Sequence, residues 1–401
     1  MKAGWVRKPL DAITTKIGSG ATPSGGEASY KQAGISLIRS MNVHDVGFRD
    51  KDLAYIDQGQ ADLLSNVEVE PQDVLLNITG ASVARCCTVP IKVLPARVNQ
   101  HVSILRPASG IIGTKFLYYL LISPEYKKRL LQSGEAGSTR QALTKGLLEC
   151  FEIGFPESIR EQERIVAILD KAFEGIDTAK ANAEKNLQNA RNIFIYHLET
   201  VFNRKESEWI NKSISELAEY SLGKMLDKQK NRGELRPYLR NVNVRWFDFD
   251  LSDVLEMRFL PNESDKYRVS AGDVVVCEGG YPGRAAIWID EDPMYFQKAL
   301  HRVRFHEPIH SKWFVFYLYS QSCSGRLNQH FTGSGIKHFT GAALGRFTIP
   351  VAPKKQMIEL IKVMEELQDQ VQNLEAVYQN KLALLETLKQ SLLHQAFTGK
   401  L

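Results

Sequence analysis

KKQMIELIKVMEELQDQVQNLEAVYQNKLALLETLKQSLLHQAF, residues 354–397, runs without a proline and carries a clear apolar rhythm. Leu360, Met364, Leu367, Val371, Leu374, Tyr378, Leu382, Leu385, Leu388 and Leu392 follow one another at steps of three and four, the spacing of one face of an α-helix. Subtracting 195 from each number gives Ile165, Leu169, Ala172, Ile176, Ala179, Ala183, Leu187, Ala190, Ile193 and His197, nine of them again apolar. Two successive steps of four recur at the matching place, Leu374–Tyr378–Leu382 and Ala179–Ala183–Leu187, which implies a shared departure from a strict heptad. A duplicated long helix therefore frames the chain.

The rest of the chain repeats around it. Trp209, Ile214 and Leu217 echo Trp5, Leu10 and Ile13, and Arg240 with Asn243 echoes Arg39 with Asn42 at an offset of 201. Asp273-Val274-Val275-Val276 answers Asp73-Val74-Leu75-Leu76 at 200, Val303-Arg304 answers Leu105-Arg106 at 198, and Phe339-Thr340 answers Leu143-Thr144 at 196. Offsets that drift slowly in this way are what a duplication with small loop changes leaves behind. Short apolar runs such as 35–38, 73–78 and 102–105, bounded by Gly, Pro and Asn, read as strands. A helical run over 114–132 with a break at Pro124 follows. Ser158 and Glu161 have capping-box spacing before the first long helix, and Pro353 stands at the start of the second.

The expected architecture is α+β: two mixed, strand-rich domains, residues 1–156 and 206–352, alternating with helical regions 157–205 and 353–401. The two long helices are expected to pack as an antiparallel coiled coil, related by a pseudo-two-fold. Its contacts would come from Ile165, Leu169, Ile176 and Leu187 against Leu360, Leu367, Leu374, Leu382 and Leu388.

Composition bounds the function. With 43% hydrophobic and 24% charged residues the chain reads as globular, and a net charge of +5 permits a polyanionic partner without demanding one. Met1–Asp11 lacks a signal-peptide core, and no run of eighteen apolar residues occurs, so a cytoplasmic location is expected. The five cysteines form no Cys-x-x-Cys pair and the nine histidines no helical ligand spacing, which argues against a disulfide framework and a metal site. No two prolines are adjacent, which removes the Asn/Asp-Pro-Pro-aromatic motif of amino-methyltransferases, and no phosphate-binding Gly-x-x-x-x-Gly-Lys-Ser/Thr loop is present. Catalysis by this chain alone has little support.

Binding has more. Donors suited to base edges or phosphates cluster in the strand-ending loops. In the first domain these are Ser19, Arg39, Asn42, Asn77, Thr79, Arg85, Asn99, Gln100, Ser138, Thr139 and Arg140. In the second they are Lys224, Lys228, Arg240, Asn243, Glu278, Tyr281, Arg284, Lys298, Lys337 and His338.

Over its whole length the chain resembles the specificity subunit of type I restriction–modification enzymes. The resemblance is carried by Leu392-Leu393-His394-Gln395-Ala396-Phe397-Thr398-Gly399-Lys400-Leu401, by Gln72-Asp73-Val74-Leu75 and Gly272-Asp273-Val274-Val275, by Asn99-Gln100-His101-Val102, and by Pro156 followed by Glu161-Gln162-Glu163-Arg164-Ile165. Gln72 departs from the glycine usual before that aspartate, and Gln297-Lys298-Ala299-Leu300 lacks the Asn-Gln-His order. The resemblance implies a non-catalytic subunit that reads an asymmetric, bipartite site on double-stranded DNA, one half per recognition domain. It further implies a helix pair that sets the spacer and docks two methyltransferase subunits, with restriction/translocase subunits completing the enzyme. S-adenosylmethionine, ATP and magnesium are then expected on those partners and no cofactor on this chain. The assembled complex would be an N6-adenine methyltransferase and ATP-dependent endonuclease. A coiled-coil adaptor with two protein- or glycan-binding domains is the alternative.

Overall fold

A computed structural model describes residues 4–135, 142–204, 206–227, 229–292 and 294–401. The chain divides into two compact units, Met1–Ala183 with Asn380–Leu401, and Glu184–Gln379. Two helices of 44 residues, Ile159–Phe202 and Lys354–Phe397, each contribute to both units.

In the first unit a four-stranded sheet has the order Thr14–Ser19, Val102–Pro107, Val74–Asn77, Cys86–Thr88, with every neighbouring pair antiparallel. A second sheet, ordered Ala54–Ile56, Ile35–Ile38, Ala96–Val98, Glu68–Val69, is mixed, because the two middle strands run parallel. Strand Trp5–Pro9 pairs with Glu152–Pro156 and closes the domain where the chain turns into the long helix. The helical run expected over 114–132 is two helices, Thr114–Ile122 and Pro124–Glu135; the missing proline N–H falls at the first turn of the second, where no partner is needed.

The second unit has the same plan. Its antiparallel sheet is ordered Ala218–Leu222, Leu300–Phe305, Val274–Cys277, Ala285–Ile287, and its mixed sheet Leu255–Phe259, Glu234–Leu239, Met294–Phe296, Arg268–Val269. Ile210–Ser213 pairs with Thr348–Val351 as Trp5–Pro9 does with Glu152–Pro156. The same fork, built on a buried aspartate, stands once in each copy. The Arg106 guanidinium donates to both oxygens of Asp73 at 2.8 and 2.9 Å, and Arg304 to both of Asp273 at 2.7 Å. The spare lone pairs take the Glu70 and Ser270 amides, so each carboxylate is satisfied in a site where an unpaired charge would be expensive.

The long helices pair antiparallel inside each unit. In the first, Lys180 bonds Glu386 at 2.5 Å and Lys389 stands 4.0 Å from Asp177; in the second, Arg191 bonds Glu375 at 2.7 Å. Ile165, Leu169 and Ile176 are buried among the first domain's core residues, with Leu393, Ala396 and Phe397. Leu187, Leu360, Leu367 and Leu382 are half-buried.

Two expected contacts are corrected: Leu374 and Leu388 are 43% and 47% exposed. The covered series on the second helix is Met357, Ile361, Met364, Gln368, Val371, Glu375, Tyr378, Leu382, Leu385, Lys389 and Leu392. On the first it is Leu169, Phe173, Ile176, Lys180, Ala183, Leu187, Ala190 and Phe194. Both series alternate steps of four and three; the expected double step of four is lost on the second helix, where Glu375 is covered in place of Leu374, while on the first Ala179, Ala183 and Leu187 are all at least half-buried. The reason is chemical: Lys180, Glu375 and Lys389 lay their methylene stems in the seam and pair their charges across it, and Lys389 also sits 4.8 Å over the Phe173 ring.

Candidate nucleic-acid interface

In each unit four backbone segments leave the antiparallel sheet side by side at one edge. In the first, Gly20 donates to the Asn99 carbonyl, Ile78 to that of His101 and Leu143 to that of Ile78, while Thr79 bridges Ala142. The lanes are thus Ser19–Thr22, Asn99–His101, Ile78–Gly80 and Ala142–Leu143. In the second, Gly223 donates to Leu300, Lys298 to Lys224, Glu278 to Ala299 and Phe339 to Glu278, while Gly279 bridges His338. Gly20 and Gly223 fill the same place for the same reason: a Cβ on Gly20 would lie 1.9 Å from the Val98 carbonyl oxygen, and one on Gly223 2.2 Å from that of Gln297.

Several candidates form the scaffold beneath this edge. Asn42 is fully buried; its amide donates to the Arg49 and Lys51 carbonyls and its oxygen accepts the Arg39 N–H. Asn243 repeats this with Asp250, Asp253 and Arg240. Arg39 and Arg240 turn inward as well, donating to the Asp52 and Asp253 carbonyls at 2.6 Å, with Glu27 and the Asp253 carboxylate as ion partners. The Arg/Asn echo, offered by the sequence as donors to base edges or phosphates, is in the structure a loop clamp made twice. Asn77, also fully buried, ties Ser40 to Ser82, and buried Asn99 accepts the His101 amide. Lys224 is 7% exposed and bonds Glu263 at 2.5 Å and the Arg258 carbonyl at 3.0 Å, over the Phe259 ring. These side chains are bound inside the protein, beneath the edge.

The others do reach the edge. Ser19 is exposed at the end of its strand, Gln100 accepts from Thr22, and Thr79 is 2.6 Å from Nδ1 of His101. Arg284 donates to the Asn241 carbonyl and lies 3.8 Å over the ring of the exposed Tyr281. Glu278 and His338 stand in adjoining lanes. Arg85, Lys298 and Lys337 form no side-chain hydrogen bond or ion pair with any described residue, which leaves three cations available. Ser138, Thr139, Arg140 and Lys228 lie outside the described residues.

Burial pulls the His301 pKa below the ordinary histidine value, against its hydrogen bond to the Phe339 carbonyl, and pushes the Cys277 thiol up to about 11. Among the described residues no group of three or more His, Cys, Asp or Glu is placed to hold a metal ion, and no helix is long and apolar enough to cross a membrane.

Sequence reasoning missed Met225, Leu226 and Ile336, which are 58%, 50% and 72% exposed at the second unit's edge. No spacing signals them, since an isolated aliphatic residue in sequence reads as core.

Comparison with known proteins gives the same picture. The type I specificity subunits EcoKI of Escherichia coli (strain K12) and StySPI of Salmonella potsdam are 23% and 21% identical over 424 and 420 residues, covering 99% of this chain and 89% of each relative. A chain solved in work on complex assembly and conformational transition of the type I R-M system superposes with a TM-score of 0.79 at 15% identity, covering 100% of this chain and 99% of that one. The HsdS subunit from Thermoanaerobacter tengcongensis gives 0.60 at 16% identity, covering 100% and 98%. A family model for the type I restriction modification DNA specificity domain matches residues 55–188 and again 206–393. With both copies matched across most of its length, the chain belongs to the type I restriction–modification specificity family, as a DNA-recognition subunit that is itself non-catalytic.

Proposed function

We propose that each unit contacts one half of an asymmetric, bipartite site on double-stranded DNA through the four-lane edge of its antiparallel sheet. The observation that carries this is the contrast within one chain: the Asp73–Arg106 and Asp273–Arg304 forks and the Asn42 and Asn243 clamps repeat, while the edges they support differ in nearly every side chain. Arg85, Lys298 and Lys337, free of internal partners, supply phosphate contacts, and Ser19, Thr79, Gln100, Glu278, Tyr281, Arg284 and His338 supply groups for base edges. Ser138, Thr139, Arg140 and Lys228 remain candidates from sequence alone. The recognition domains are residues 1–156 and 206–352, separated by helical regions 157–205 and 353–401.

The helix pair sets the spacer. Each helix of 44 residues is about 66 Å long at 1.5 Å per residue, enough for about two turns of duplex. The exposed ridge Leu374, Val377, Leu384 and Leu388, spaced by three, seven and four on the second helix, supports its use as a dock for two methyltransferase subunits. S-adenosylmethionine, ATP and magnesium are placed on those and on the restriction/translocase subunits, and the complex in the cytoplasm. Single-molecule methylome sequencing of cells expressing this gene with its partner subunits tests the reading. A bipartite methylated motif that vanishes on deleting the gene is expected; an unchanged set of motifs refutes it.

A further inference from the structure

The two edges differ in kind as well as in detail. After the shared glycine position the first unit continues Ala21-Thr22-Pro23, and Thr22 is hydrogen-bonded to Gln100; the neighbouring lane holds the Thr79–His101 bond. Among the described residues that edge presents donors and acceptors. After Gly223 the second unit turns Lys224 inward and puts out Met225 and Leu226, and three lanes away Ile336 stands 72% exposed, two residues before the His338 that bridges Gly279. The lanes between are fixed by backbone bonds from Lys298 to Lys224, Glu278 to Ala299 and Phe339 to Glu278, so the free cation Lys298 stands in a lane between Met225–Leu226 and Ile336, and the free cation Lys337 adjoins Ile336 along the chain.

Exposed aliphatic groups among cations are poorly suited to water and to phosphate. In the major groove the one apolar group a base presents is the thymine 5-methyl. We propose that the second unit reads thymine methyl groups through Met225, Leu226 and Ile336, with Lys298 and Lys337 on the flanking phosphates, whereas the first unit reads its half-site by hydrogen bonds. The inference rests on the reading of the chain as two half-site readers, and it explains how one scaffold yields an asymmetric site.

The test uses the full chain assembled with its methyltransferase partner and duplexes in which single thymines are replaced by deoxyuridine, which removes the methyl and keeps every hydrogen-bonding group. In the half-site that changes when residues 206–352 are exchanged for another recognition domain, each contacted methyl should be worth about fourfold in Kd. Thymines of the other half-site should give no such loss. Met225→Gln and Ile336→Gln, which keep wild-type melting because the side chains are exposed, should abolish the difference between thymine and uracil. The inference is overturned if no thymine in that half-site responds, or if the response persists undiminished in both variants. Binding without sequence preference would be a different result: it would sink the half-site reading, and this inference with it.

Discussion

Replacing Asn243 by alanine separates scaffold from reading edge. The side chain is 2% exposed and makes three hydrogen bonds, to the Asp250 and Asp253 carbonyls at 2.9 Å each and from the Arg240 amide at 2.9 Å. Alanine removes that partner from two carbonyls and one N–H at a buried position, the Asp253 carbonyl keeping its bond from the Arg240 guanidinium. At about 1 kcal/mol for each lost bond the expected destabilisation is about 3 kcal/mol. For a unit the size of Glu184–Gln379, where about 1 kcal/mol shifts Tm by roughly 2–4 °C, the melt should fall by about 6–12 °C. Calorimetry of the full chain measures this, and binding below the melt should retain wild-type base preference. Lys337→Ala makes the opposite case: stability within about 0.5 kcal/mol of wild type, a uniform loss of affinity across sequences, and a salt slope shallower by about one. An Asn243→Ala chain that melts like wild type but loses discrimination at one base pair would show that the clamp is a base reader and would refute the division.

Three further outcomes are expected. Gln72 holds a left-handed backbone, φ 73°, where Gly272 stands in the second unit with φ 92°; Gln72→Gly should stabilise the chain by about 1 kcal/mol in urea unfolding, and Gly272→Gln should destabilise it comparably. His301 and His310, 1% and 6% exposed, are held below the ordinary histidine pKa by burial. Below about pH 6.5 the unfolded chain takes up protons that the folded one refuses, so stability should fall by up to about 1.4 kcal/mol per pH unit for each, with a shallower slope in His301→Gln when melts are followed from pH 7.5 to 5.5. Seven residues inserted into both long helices, after Ala183 and after Gln379, keep the 3.5-residue seam and add about 10 Å, or about three base pairs, to the spacer of the methylated motif with both half-sites unchanged. Four-residue insertions turn the seam by about 50° and should give poorly assembled chains instead.

The duplication was legible because its signal is distributed: helix length, strand runs and slowly drifting offsets agree over the whole chain. The seam was legible only in part. A scan for aliphatic residues selects Leu374 and Leu388, but the covered positions are Glu375 and Lys389, whose stems are apolar and whose charges find Arg191 and Asp177. Whether a long charged side chain lies in a seam or in water depends on the facing helix, which local sequence does not contain. The same limit applies to Asn42. An exposed asparagine that reads adenine and a buried one that clamps a loop are identical in sequence, and only the carbonyls of Arg49 and Lys51 distinguish them.

That distinction has a consequence for how specificity can change. The residues fixing the fold, Asp73 with Arg106, Asp273 with Arg304, Asn42 and Asn243, each make two or more internal bonds, with both aspartates and both asparagines buried, so substitutions there fall among the costly kinds. Lys298, Lys337, Met225, Leu226 and Ile336 sit at the end of backbone lanes held by main-chain bonds that any side chain permits. On the proposed reading, changing them alters what faces the groove at little cost in stability, and effects at sites without shared partners should add. A chain built in this way can acquire a new half-site in one unit while the other unit, and the helix seam within each, are left as they were.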